Sequence, residues 1–359
     1  MTDECPRCRE YAARGGLFCG ACGRPLADVQ PPADPVQHTV VVKHSSDHES
    51  LNSFLSIILL VACVGVMIVS VFELATVLAN SGDVFSFLDD KYLSFILIIP
   101  FPYAVFSVGE SALQVYWILI ILVISMCVVT AAYKFIKEIR SKGGISEPGS
   151  AENTAFFWVC VSLSAMLLIN VIIVLLTEAS GSQVEVPDFG DVIDQIFLMA
   201  NAAVWEEIIA RLLYIGVPMA IISLIATKKL DSWKCLVGGF GMSKAAIIFI
   251  IVSGIIFGLA HYPGWENQAW KVVATGIMGM FLGYVFVRFG LYASIVLHFI
   301  NNYLSSFDWM GIGGVGGLVT VLLVCVGFIA IIYIIMRLVQ SGETLKRLPL
   351  FRNGYIKDH

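Results

Sequence analysis

From about residue 53 onward, long apolar runs alternate with short polar breaks. About 20 apolar residues are needed to span the hydrocarbon of a bilayer. That length predicts eight crossings, at roughly 53–79, 112–136, 154–177, 195–226, 244–262, 271–287, 290–306 and 317–338. The run 93–108 is also apolar, but it is shorter and broken by Pro100 and Pro102. It is expected to lie at the interface or to re-enter, not to cross. Residues 27–52 are polar, with Pro31, Pro32 and Pro35, and read as a flexible linker. Residues 339–359 read as a basic tail that contacts anionic lipid.

Composition supports this partition. The chain is 58% hydrophobic and 14% charged, with a mean hydropathy of +0.85, against about 25% charged in a soluble domain. The fold class is an all-α polytopic membrane protein of about eight transmembrane helices, with membrane lipids as partners and no nucleic acid expected. With the N-terminus in the cytoplasm, 19 of the 22 Lys and Arg fall on the inner side. Lys91 and Lys271 fall outside and Arg211 lies within a span. This asymmetry follows the positive-inside rule, so both termini are expected in the cytoplasm of a multi-pass cell-membrane protein. The acidic loop 178–194 has no Lys or Arg and falls outside. In spans five and six, Gly254/Gly258 and Gly279/Gly283 have a spacing that permits close backbone contact.

The first 26 residues carry different chemistry. Cys5 and Cys8 form one CxxC pair and Cys19 and Cys22 another. Four thiolates at this spacing suit a structural Zn²⁺ site. So short a segment has no core of its own, and the metal would supply its folding energy. The segment resembles the zinc ribbons appended to many prokaryotic membrane proteins, and its expected role is docking or regulation with a partner the sequence does not name. The five remaining cysteines lie in or beside apolar runs and read as small hydrophobic filler.

Ionisable residues within spans are costly and point to function. Span four holds Glu206, Glu207 and Arg211. Glu207 and Arg211 are four apart and can pair, whereas Glu206 lies about 100° round the helix. A carboxylate left without that partner can act as a general base. Phe257 and His261 are four apart near the end of span five, and His298 and Asn302 are four apart in span seven, with Asn301 one step round. Read singly, these groups equally suit a structural ion pair, an interface histidine and interhelical hydrogen bonding. Together they supply what is needed to activate water and hold an oxyanion. By length alone, His261 is expected too near the outer end of span five to join the other groups at mid-membrane.

EExxxR, FxxxH and HxxxN, in that order on successive apolar helices, resemble the CPBP intramembrane proteases, which include the type II CAAX prenyl endopeptidases and the bacteriocin-processing and self-immunity proteins. The resemblance covers about residues 150–310. It implies a helical bundle around a polar cavity that hydrolyses a peptide bond in a membrane-associated, sometimes lipidated, peptide or protein. By carry-over, Glu206 is the base for water, His261 positions that water, His298 and Asn302 form the oxyanion hole, and Glu207 and Arg211 order the site. Members are also described as metalloproteases. In that reading Glu206, His261 and His298 would bind a catalytic Zn²⁺, a use the residues permit but favour less than glutamate-based hydrolysis. Two further readings stand beside the protease: a catalytically silent scaffold or immunity protein of the same family, and a transporter using the same charges as a pathway. The transporter reading expects internal repeats, and none is visible.

Overall fold

Each apolar run is bounded by residues that start or stop a helix. In the computed structural model, which describes residues 47–98, 102–143, 149, 151–228, 230–266, 268–340 and 348–350, the first helix, α1, covers Asp47–Ala79. It begins inside the segment expected to be linker. A short α2 (Ser81–Phe87) leads to two strands, β1 (Tyr92–Ile98) and β2 (Pro102–Gly109). Next come α3 (Glu110–Ser141) and α4 (Ala155–Ala179), the latter capped by the Thr154 hydroxyl accepting from the Phe157 amide. The four ribbon cysteines, most of the linker and most of the basic tail lie outside the described residues.

Span four is one continuous rod. It starts with α5 (Val192–Glu207), where the Asp191 side chain accepts from the amides of Ile193 and Asp194. It continues as a nine-residue π-helical run, Ile208–Gly216, and ends as α6 (Val217–Thr227). The remaining helices are α7 (Lys244–Ala260), α8 (Ala269–Phe289), α9 (Leu291–Tyr303), the single turn α10 (Ser306–Trp309) and α11 (Gly313–Gln340). Every predicted crossing therefore corresponds to a helix. Among the described residues, six of these helices are long and apolar enough to cross a membrane.

Two of the eight, α7 and α9, fall short of that length. α7 has 17 residues and α9 has 13, or about 25 and 20 Å of helix against about 30 Å of hydrocarbon. α9 starts at Gly290, whose φ of +108° suits glycine. Its residues Ala293–Ile300 are all buried. A helix enclosed by other helices need not match the bilayer thickness.

The run 93–108, expected at the interface or re-entrant, is built of strands. It forms an antiparallel hairpin, pairing from Tyr92 opposite Gly109 to Ile98 opposite Pro102, with a bulge between Phe95 and Ile96. The segment is rich in Tyr, Phe, Ile and Val, which favour strands, and a short apolar run cannot be told from a helix by pattern alone. A hairpin with open edges belongs against protein or at the interface and not in hydrocarbon. Here Phe95 packs edge-on against Trp205 with ring centres 4.6 Å apart, and Trp205 Nε1 donates to the Ile96 carbonyl at 3.2 Å.

Helices α7 and α8 approach most closely at their glycines. A Cβ on Gly258 would collide with the Val272 carbonyl and the Gly276 backbone, and one on Gly254 would lie 2.9 Å from the Gly276 carbonyl. The GxxxG stripe of α7 thus meets Gly276 and Gly279 of α8, while Gly283 faces Ile250 and Ile215. Gly258→Val is expected to break this contact and destabilise the protein by about 1–3 kcal/mol. Gly65→Val, where a new Cβ meets nothing within 4 Å, is expected to leave the unfolding temperature in detergent near wild type.

Candidate active site

The site begins where α5 passes into the π-helical run, a local geometry often found at functional positions. Glu207 is fully buried, and so is Arg211. Arg211 Nε donates to Glu207 Oε2 at 3.0 Å, and Arg211 Nη1 donates to Ser253 Oγ at 2.9 Å. Ser253 Oγ in turn donates to the Ala210 carbonyl at 2.6 Å. The guanidinium also lies 5.1 Å from the centre of the Phe257 ring. His298 Nδ1 meets Glu207 Oε1 at 3.0 Å. Every strong hydrogen-bonding group of this buried pair has a partner, which is the condition for keeping charge in a low-dielectric interior.

Glu206 is placed differently. Its side chain is 34% exposed, yet its Oε2 is buried and makes no hydrogen bond among the described residues. That oxygen lies 3.7 Å from His298 Nε2 and 3.9 Å from His261 Nε2. Both distances exceed a hydrogen bond, but one oxygen atom about 2.8 Å from each member of either pair would fit. His261 reaches this point because α7 stops at Ala260 and His261 caps it. His261, expected too near the outer end of its span to join the other groups, thus lies beside Glu206.

The second nitrogen of each imidazole is fixed. His261 Nδ1 lies 2.8 Å from the Phe257 carbonyl. A carbonyl only accepts, so Nδ1 carries the proton there, and the same logic applies to His298 Nδ1 facing the Glu207 carboxylate. In the neutral form each Nε2 then presents a lone pair toward Glu206 Oε2. His298 Nε2 becomes a donor only as imidazolium. Phe257 packs against both rings, with centres 4.8 Å from His261 and 6.0 Å from His298.

Three acceptors converging on one point invite a metal. Among the described residues, no group of three or more His, Cys, Asp or Glu could hold a metal ion. The 3.7 and 3.9 Å separations are wider than the ligand spacing of about 3.3 Å implied by zinc bonds near 2.0 Å in a tetrahedral site. To hold zinc these groups would have to draw together by about 0.4–0.6 Å.

Five of the six predicted membrane residues are thus gathered: Glu206, Glu207, Arg211, His261 and His298. Asn302 is held elsewhere. Its Nδ2 donates to the Met199 carbonyl at 3.4 Å, about two turns before Glu206 on α5, and its Oδ1 accepts from Asn301 at 3.4 Å. Ser253 was not foreseen as a site residue. The signal was present, since Ser253, Phe257 and His261 recur every four residues on one face. Glu73 of α1 is also fully buried, with no hydrogen bond to either oxygen among the described residues.

The sequence model of the family described as "Type II CAAX prenyl endopeptidase Rce1-like" matches residues 189–304. The match covers about a third of the chain and includes all six of these residues. No curated protein and no solved structure matches the chain. The matched segment is therefore similar to a protease family, within a mostly helical integral membrane protein.

The two glutamates should respond differently to substitution. Arg211→Met takes the guanidinium away from the buried Glu207 and leaves it only the His298 contact, and is expected to cost about 3–5 kcal/mol in thermal unfolding. Glu206→Gln removes no hydrogen bond and is expected to shift stability by no more than about 0.5 kcal/mol.

Proposed function

We propose that the protein is an intramembrane endopeptidase in which Glu206 activates water. The observation that carries this reading is the position of Glu206 Oε2, unpartnered and facing two imidazole Nε2 atoms, while Glu207 is locked by Arg211 and His298. Glu206 takes a proton from water as the oxygen attacks the scissile carbonyl. His261, held by its bond to the Phe257 carbonyl, aligns that water. The tetrahedral oxyanion is met by His298 as imidazolium, and by Asn302 once its 3.4 Å bond to Met199 is exchanged for substrate. Glu206 then returns the proton to the leaving amine. Glu207 and Arg211 set the position of the base and of His298.

We assign a membrane-associated peptide as substrate, with a prenylated CAAX-type C-terminus as the first candidate, a reading the family match supports. We assign the N-terminal Cys5, Cys8, Cys19 and Cys22 to a structural Zn²⁺ ribbon that docks a partner and takes no part in the chemistry.

Glu206→Ala is expected to lower cleavage of a farnesylated CAAX peptide by at least about 10²–10⁴-fold, with membrane insertion and detergent monodispersity retained. Undiminished cleavage would rule out the mechanism. Metal analysis of the purified chain is expected to give one zinc, lost on Cys5→Ser with Cys8→Ser. Chelation is expected to leave turnover intact. Activity lost to a chelator and restored by Zn²⁺ in a ribbon-deleted chain would instead establish a catalytic metal.

A further inference from the structure

Beside the catalytic cluster, α4, α8 and α9 line an open cavity of about 70 Å³. Its walls include Met166 and Met278, but also Lys271, Asn170, Asn301 and Thr275. So many polar groups in a membrane-embedded cleft need a reason. The Lys271 ammonium lies 3.5 Å from the centre of the Trp265 ring and 5.8 Å from that of Trp270. Among the described residues it makes no ion pair, and Asn170 makes no hydrogen bond. Asn301 Nδ2 has only a 3.7 Å contact to Met278 Sδ and a 3.4 Å contact to Asn302 Oδ1. The Thr275 hydroxyl is already spent on the Lys271 carbonyl.

The free capacity of the cavity is therefore one cation and the Asn170 carboxamide, with Asn301 held only by two long contacts that a ligand could replace, flanked by flexible thioethers. One positive charge with neutral amide donors suits a singly charged, planar anion with an apolar neighbour. The cavity also communicates with the chemistry. Asn301 contacts Asn302, and Lys271 lies near enough to Glu206 and His261 to act on both electrostatically.

We infer that this cavity receives the free C-terminal carboxylate of the peptide being cut, with Lys271 and Asn170 as the recognising groups and Asn301 as a further donor. The inference rests on the protease reading and narrows it. An extended chain covers at most about 3.3–3.6 Å per residue, so a carboxylate anchored beside the catalytic cluster restricts cleavage to bonds within a few residues of the C-terminus. Of the two basic residues outside the positive-inside pattern, Lys271 then has a specific use.

The test compares two peptides that differ only in ending as a carboxylate or a carboxamide. Both are presented to the full chain in phosphatidylcholine nanodiscs. Binding is read by fluorescence anisotropy on Glu206→Gln, and cleavage on the wild type. The acid is expected to bind and to be cut at least about tenfold better. Lys271→Met is expected to bring that ratio near one, and Lys271→Arg to keep it. Equal handling of the two peptides by the wild type, or a ratio unmoved by Lys271→Met, would overturn the inference. An anionic lipid offers the same chemistry from another source. If added phosphatidylglycerol changes activity only while Lys271 is present, and the two peptides are handled alike, the cavity is a headgroup site and the inference fails. Discrimination in binding without any cleavage would keep the carboxylate site and remove the protease reading.

Discussion

Two charges sit fully buried in the bundle, and the arrangement of the site follows from how Glu207 and Arg211 satisfy each other. Removing them from water is expensive, and the pair persists only because nearly every donor and acceptor is used. Satisfying the guanidinium requires Ser253 on α7 and the face of Phe257. Satisfying the carboxylate requires His298 on α9. One ion pair therefore draws three chain segments to a common point. Glu206, one residue earlier, is turned away from that network and left with a free oxygen. The same arrangement that holds the helices together leaves one carboxylate available for chemistry.

α7 and α9 stop well before the length of a full crossing, which places His261 at a helix end and His298 inside an enclosed helix. The glycine contact between α7 and α8 allows the close approach that keeps His261 beside span four. The β-hairpin packs on Trp205, the residue before Glu206, so an element outside the helical bundle abuts the same point.

Much of this was legible in the chain. Apolar run length located eight helices, and the i,i+4 spacing separated the paired Glu207 from the unpaired Glu206, because both properties are local and periodic. Three features were not legible. The hairpin at Tyr92–Gly109 is apolar on a scale that fits either strand or helix. The approach of His261 to Glu206 depends on how α7 is set against span four, a tertiary contact no local pattern reports. The bond from Asn302 to the Met199 carbonyl likewise depends on how α9 is set against α5, and shared helical face alone placed Asn302 with His298. Lys271 was visible as a charge on the outer side, but its place in a polar cavity depends on α4 and α9.

The central claim is that Glu206 supplies a base and Glu207 supplies order. Chemical rescue separates the two most directly. Glu206→Ala and Glu207→Ala proteins would be assayed for peptide cleavage across a series of formate concentrations. The account predicts that formate restores turnover to Glu206→Ala in proportion to its concentration and does nothing for Glu207→Ala. Rescue of Glu207→Ala in place of Glu206→Ala would contradict it.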